Sequence, residues 1–189
     1  MAGRQRQAAL RLLIALALVF GAVLPRPALG DHHMKEYEVK AAFLFNFTKF
    51  VAWSDAAAPD PAAPFVIAVL GDDPFGEALS ALEKKTAQGR PIVVQRANSL
   101  DSLKNCRILF VSSSVGSRLP EILRAAHARS ILTVGDMEGF ASRGGIIELV
   151  LQGDKVGFEI NVNSAKQAGL TISSKLLSLA KAIHREGGR

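Results

Sequence analysis

Four short runs of apolar and β-branched residues constrain the fold of this chain more than any other feature. They cover residues 65–71, 91–96, 107–113 and 131–136, and helical or turn patterns separate them. Strands that are apolar on both faces are typical of parallel sheets, because the connecting helices cover both sides of the sheet. The sequence therefore predicts an α/β fold of three layers around a mostly parallel sheet.

The C-terminal third follows a different pattern. Segments 144–152 and 155–163 are separated only by Gly153 and Asp154, a connection typical of an antiparallel hairpin. Apolar residues then recur at helical spacing over 173–185, which predicts a final helix packed against the first one. The predicted buried side of this final helix contains Leu176, Leu179 and Ile183.

Residues 35–53 carry more apolar surface than one face of a helix can hold. A rotation of about 100° per residue divides the apolar residues into two stripes. The first stripe contains Tyr37, Ala41, Leu44, Thr48 and Val51. The second stripe contains Val39, Phe43, Phe47 and Phe50. The remaining polar edge consists of Lys35, Glu38, Asn46 and Lys49.

The two stripes predict a helix that is covered on two sides. We expect the first stripe to face the core of the domain. The second stripe faces either more core or a partner protein, because large exposed apolar patches mark interaction sites, while phenylalanine stripes are common in cores. The candidate partner-binding residues are Phe43, Phe47, Phe50 and Trp53.

Residues 1–30 have the pattern of a signal peptide. Three arginines precede an apolar stretch, and Ala28 and Gly30 are small residues at the positions that a signal peptidase reads. The uncharged run is shorter than the roughly 20 residues that span a bilayer. We therefore expect cleavage after Gly30, one exported domain over 31–189, and no membrane-spanning segment after processing.

Removal of this segment changes the charge of the chain. The whole sequence has 23 Lys and Arg residues against 17 Asp and Glu residues, but four of the arginines lie within the signal peptide. The mature chain then has 19 basic against 17 acidic residues, without a dense basic stripe interleaved with aromatic residues. The sequence therefore argues against nucleic acid binding, which depends on such a surface.

The sequence has no residue set with the spacing of a catalytic centre, a dinucleotide fingerprint or a phosphate-binding loop. We therefore expect neither enzymatic activity nor a cofactor. One speculative metal site involves His33, which would be third in the mature chain and able to bind Cu(II) or Ni(II) with the terminal amine. A disordered polar segment that leads into the first helix is the simpler interpretation of the same residue. An alternative small-ligand site lies at the carboxyl edge of the sheet, near Asp72, Ser112 and Asp136.

Cys106 is the only cysteine in the sequence, so no disulfide can form within the chain. A buried thiol at the start of a strand is the simpler interpretation, because unpaired cysteines are among the most buried residues. An intermolecular disulfide is the alternative, and it requires an exposed side chain.

Six stretches of the chain carry a family resemblance. They are EYEVKAAFLFNFTKFVAW, VLGDDPFG, CRILFVS, LTVGD, GGIIELV and KVGFEINVNSAKQAGLTISSKLLSLA. Between Glu36 and Ala180 this ordered set resembles the YfiR family of bacterial periplasmic proteins. YfiR-like proteins can carry internal disulfides that support the inhibitory fold. This chain departs from that pattern, because Cys106 has no second cysteine to pair with.

The resemblance implies a non-enzymatic periplasmic regulator. Its expected partner is the periplasmic sensor domain of an inner-membrane diguanylate cyclase. Binding would hold the cyclase inactive and so lower cyclic di-GMP and biofilm formation. A homodimer is a second assembly that we consider, and a periplasmic small-ligand-binding module is the alternative function.

Overall fold

The structure is a computed structural model that describes residues 29–54 and 63–185. Apart from positions 29 and 30, the predicted signal peptide lies outside these residues. The helices are α1 Leu29–Phe50, α2 Glu77–Ser80, α3 Leu119–Ala128, α4 Val162–Gln167 and α5 Ser174–Leu179. Short 3-10 helices span Ala81–Lys84, Leu100–Ser102 and Ser113–Arg118. The strands are β1 Val51–Trp53, β2 Phe65–Leu70, β3 Thr86–Ala87, β4 Arg90–Ala97, β5 Cys106–Val111, β6 Leu132–Gly135, β7 Ile147–Gln152, β8 Lys155–Asn161, β9 Leu170–Ile172 and β10 Ala182–His184.

Eight of these strands form one sheet in the order β10-β8-β7-β6-β5-β2-β4-β3. Neighbouring strands are parallel except for β7 with β8 and β3 with β4, which are antiparallel. Gly153 and Asp154 connect β7 to β8. The prediction of an α/β fold built on a mostly parallel sheet is confirmed.

Apolar side chains cover both faces of the sheet. Ile67 and Val69 of β2 belong to one hydrophobic cluster, whereas Val66 and Ala68 belong to another. Successive residues of a strand point to opposite faces, so each face carries one cluster. Helix α1 packs in the first cluster, and helix α3 packs in the second. The sheet is therefore buried on both sides, which explains why its central strands are apolar throughout.

A two-stranded sheet fixes the C-terminal end of helix α1. The helix ends at Phe50, and β1 pairs antiparallel with β9, with Val51 opposite Ile172. The backbone N–H of Ser173 donates a hydrogen bond to the carbonyl of Phe50 at 2.9 Å. The predicted helix over 35–53 is therefore three residues too long, because strand pairing with a distant segment replaces its last turn.

The C-terminal segment differs most from the prediction. The predicted helix over 173–185 is wrong beyond Leu179, because Ala182–His184 form β10, which is parallel to β8. The N–H of Lys181 donates to the carbonyl of Phe158 at 2.8 Å and begins this pairing. Hydrogen bonding to the open edge of β8 thus outweighs the helical preference of the sequence.

The burial of helix α5 follows from its short length. Leu176 is buried, as predicted, and packs in the same cluster as α1. Leu179 is 59% exposed, so its predicted place in the core is wrong. Leu179 is the last residue of the helix, and the chain becomes extended at Ala180 and leaves toward β10.

Candidate interaction surface

The first stripe of helix α1 faces the core, as predicted. Its buried members are Ala41, Leu44, Thr48 and Val51, and Tyr37 is half-buried. The polar edge is exposed at all four predicted positions, namely Lys35, Glu38, Asn46 and Lys49. The helical period of 3.6 residues therefore predicts correctly which side of α1 faces the core.

Phe47 of the second stripe is part of the core. Its side chain is 0% exposed, and its ring lies edge-to-face against Phe158 at 5.5 Å between centroids. This corrects the placement of Phe47 in a partner-facing stripe, because a fully buried ring has no surface for another protein. A partner surface on this helix has to use the other candidate residues.

The remaining three candidate residues are half-buried. The ring of Phe43 packs edge-to-face on Phe158 at 5.5 Å, and Trp53 packs on Phe65 at 5.6 Å. Phe50 packs against the same hydrophobic cluster. Each ring is supported by the domain on one side and partly open on the other. The role of these residues in partner binding stays a prediction.

Val39, Phe43 and Phe50 lie on one side of helix α1, which we call the helix flank. Val39 precedes Phe43 by about one turn and is 45% exposed. Ile183 of β10 is aligned with Ile160 of β8, on the sheet face that α1 covers, and its side chain is also exposed. β10 is the outermost described strand at this end of the sheet. The helix flank and Ile183 therefore give this edge an apolar border.

The carboxyl edge of the sheet holds the alternative ligand residues in two separate groups. The hydroxyl of Ser114 accepts from the backbone N–H of Asp72 at 2.9 Å and lies 3.1 Å from the Ser112 hydroxyl. Asp136 instead contacts helix α1. The structure therefore links Asp72 with Ser112 and engages Asp136 elsewhere.

Asp136 and helix α1 form a buried ion cluster that was not predicted from the sequence. Lys40 is only 4% exposed, and its ammonium lies 2.6 Å from Asp136 and 2.5 Å from Glu36. The hydroxyl of Tyr37 donates to Asp136 at 2.7 Å. Burial, together with this hydrogen bond, raises the pKa of Tyr37 far above its ordinary value, so the phenol remains a donor. The cluster fixes the N-terminal half of α1 to the end of β6.

Cys106 is buried at the start of β5, and its thiol donates to the carbonyl of Ile108 at 3.3 Å. Burial raises the pKa of Cys106 from 9.0 to about 12. The simpler interpretation of this residue is confirmed, and the exposure that an intermolecular disulfide requires is absent.

We expect Cys106 in the folded chain to react with Ellman's reagent at least about a hundredfold more slowly than in urea. The reason is that burial excludes the reagent and also raises the pKa, so that less of the thiol is present as the reactive thiolate. Absorbance after mixing measures the rate, and the urea-unfolded chain is the control. Equal rates, or a dimer on a non-reducing gel, would contradict this account.

The described residues give no support to a metal centre. Within residues 29–54 and 63–185 there is no group of three or more His, Cys, Asp or Glu side chains arranged to hold an ion. His33 is exposed, while the side chains of residues 31 and 32 lie outside the described part. The terminal copper or nickel site stays a prediction.

Within residues 29–54 and 63–185 no helix is long and apolar enough to cross a membrane.

These features define an α/β protein whose mostly parallel sheet ends in a short edge strand beside an apolar border. The chain belongs to the YfiR/HmsC-like family, whose model matches residues 37–181. The match begins within α1 and ends just before β10, so it covers the other seven strands of the main sheet and both C-terminal helices. The family resemblance seen in the sequence is thereby confirmed.

One solved structure shows a similar fold at low sequence identity. A conserved domain protein from Vibrio cholerae O1 biovar eltor strain N16961 aligns with a TM-score of 0.52 and 15% identity, covering 78% of this chain. This chain spans 60% of the length of that structure. An ABC domain in complex with L-Trp from Streptococcus pneumonia aligns with a TM-score of 0.45 and 12% identity, over 64% of this chain and 55% of that one. No curated protein matches the chain.

Proposed function

We propose that the protein is a periplasmic regulator that binds the periplasmic domain of an inner-membrane diguanylate cyclase and holds it inactive. Membership of the YfiR/HmsC-like family over residues 37–181 is the observation that carries this proposal. Family members of this kind are regulators rather than enzymes. Inhibition of the cyclase would lower cyclic di-GMP and biofilm formation.

We place the partner contact on the helix flank and the neighbouring edge of β10. Phe43 and Phe50 present partly open rings, and Val39 is the most exposed apolar residue among the three. Partly exposed aromatic rings held in place by a rigid domain are favoured at interfaces, since little conformational entropy is lost when a partner covers them. Trp53 packs on Phe65 of β2, four strands from β8, so it would be a second contact point for the partner rather than part of this edge.

The substitution Val39→Glu tests this surface with little risk to the fold. Val39 is exposed, so we expect the melting temperature to remain that of the wild type. A charge at the centre of an apolar contact should raise the dissociation constant about thirtyfold or more, which corresponds to roughly 2 kcal/mol. Cellular cyclic di-GMP should then rise toward the level of a deletion strain. The matched control is Asn46→Glu, which places the same charge on the polar edge of the same helix.

Two outcomes would contradict the proposal at different levels. If deletion of the whole gene leaves cyclic di-GMP unchanged, the protein does not restrain a cyclase under those conditions. If deletion raises cyclic di-GMP but Val39→Glu behaves like Asn46→Glu, the regulator is real and its contact lies elsewhere. A pull-down from membranes with the mature chain, followed by mass spectrometry, identifies the cyclase directly.

A further inference from the structure

A polar cavity of about 400 Å³ lies at the C-terminal ends of β8 and β10. A loop before β7 and helix α4 complete its walls. The lining residues are Ser142, Gly144, Asn161, Asn163, Ser164, Gln167, His184 and Arg185. The volume is within the range of small-molecule sites in proteins, which is about 300–1,000 Å³. Its polar lining favours a hydrophilic ligand over an apolar one.

The loop that forms one wall is held in place by a buried carboxylate. The Glu148 side chain accepts hydrogen bonds from the backbone N–H groups of Gly139 at 3.0 Å and Ala141 at 2.9 Å. The Asn161 amide then donates to the carbonyl of Ala141 at 2.8 Å. The side-chain oxygen of the same Asn161 accepts hydrogen bonds from two backbone N–H groups at the start of α4. The cavity is therefore preformed and does not depend on a ligand for its shape.

Three polar side chains around the cavity have unused hydrogen-bonding capacity. Within the described part of the chain, the side chains of Asn163, Gln167 and Arg185 make no hydrogen bond or ion pair with the protein. All three carry N–H donors, and Arg185 adds a positive charge. Among residues 29–54 and 63–185, no carboxylate lines the cavity. The Nε2 of His184 lies 2.7 Å from Oε2 of Glu159, so this nearby carboxylate is already paired.

From this arrangement we infer that the cavity binds a small oxyanion, namely the carboxylate or phosphate group of a polar metabolite. A guanidinium holds a carboxylate or phosphate through two parallel hydrogen bonds, and the two amides supply further donors. Arg185 binds the anion, Gln167 and Asn163 orient it, and Asn161 is a positioning residue that holds the walls together.

This site shares strand β10 with the proposed cyclase contact but uses different residues. Successive residues of a strand face opposite sides of a sheet, so Ile183 points toward α1 while His184 points to the other face. The cavity therefore uses His184 and the residue that follows it, whereas the proposed contact uses Ile183. The inference concerns ligand binding by the chain itself and stands even if the protein restrains no cyclase.

Isothermal titration of the mature chain tests the site with two probes, inorganic phosphate and succinate. Sodium chloride at matched ionic strength is the reference. We expect saturable binding of at least one probe at millimolar concentrations, and which probe binds distinguishes a phosphate ligand from a carboxylate ligand. Arg185→Gln should weaken that binding at least about tenfold, because it removes the charge and the bidentate donors.

Arg143→Gln is the matched control. Arg143 is an exposed arginine of the same loop that does not line the cavity, so its loss should leave binding unchanged. Gln167→Ala should cause a smaller loss than Arg185→Gln. Equal affinities in Arg185→Gln and Arg143→Gln would overturn the inference, and so would the absence of saturable binding for both probes. Melting curves without probe establish that each variant is folded.

Discussion

Replacement of Phe47 by alanine is expected to lower the free energy of unfolding by about 3–5 kcal/mol. The ring is completely buried, packs edge-to-face on Phe158 and lies 6.0 Å from the ring of Phe43. Its removal leaves a cavity between α1 and the sheet that rigid neighbours cannot fill. Urea denaturation followed by circular dichroism measures the loss as a lower midpoint with an unchanged slope.

Phe50→Ala is the comparison that gives this experiment its meaning. Phe50 is half-buried at the end of the same helix, so its truncation should cost clearly less than that of Phe47. A Phe47→Ala protein as stable as the wild type would show that Phe47 is not in the core. The second stripe would then be available to a partner along its whole length.

Replacement of Lys40 by methionine is the second change with a large expected effect, a loss of about 3–5 kcal/mol of stability. Methionine retains most of the apolar stem, so the main change is the removal of the ammonium. The carboxylates of Asp136 and Glu36 then lose the cation that neutralises them in a largely water-excluded site. Asp136 keeps the hydrogen bond from Tyr37.

Two further variants separate this effect from a general loss of positive charge. Lys49→Met removes an exposed lysine from the same helix, and its cost should remain below about 0.5 kcal/mol. Asp136→Asn should recover part of the loss when it is combined with Lys40→Met, because it removes the unpaired charge. Equal midpoints for Lys40→Met and Lys49→Met in urea would show that the cluster contributes nothing to stability.

The central strands could be predicted closely because their signal is local. The apolar run at 65–71 corresponds to β2 at Phe65–Leu70, and the run at 107–113 corresponds to β5 at Cys106–Val111. A strand buried on both faces has to be apolar throughout, and that requirement is visible in one sequence. The orientation of α1 was accessible for the same reason, since a core-facing stripe repeats every turn.

The sheet edges could not be predicted because pairing partners, rather than side chains, determine them. The sequence of β10 has apolar residues at helical spacing, yet the open edge of β8 makes it a strand. β1 depends in the same way on β9, which lies far along the chain. Short segments with weak preferences adopt the structure that satisfies their backbone hydrogen bonds in the folded domain.

The polar features were hidden because each is assembled from distant residues. The only local signal for the ion cluster was the spacing of Glu36 and Lys40 by four residues, which is equally typical of an exposed helix. Asp136 comes from another element and gives the lysine its buried setting. The anion cavity is formed by residues of two strands, a loop and a helix, so no single sequence motif predicts it.

The long-range anchoring of α1 has a kinetic consequence. The bond from Tyr37 to Asp136 joins residues 99 positions apart, and the pairing of β1 with β9 spans more of the chain still. Other contacts of α1 are shorter in sequence, such as the hydrogen bond from the Gln88 amide to the carbonyl of Thr48 at 3.0 Å. Contacts between residues so far apart in sequence as Tyr37 and Asp136 slow folding, because closing the long intervening loop costs entropy before the contact forms. The attachment of α1 to β6 and β9 is thus expected to form later than its contacts with Phe75 and Gln88, and the apolar stripes stay partly open to chaperones in the interval.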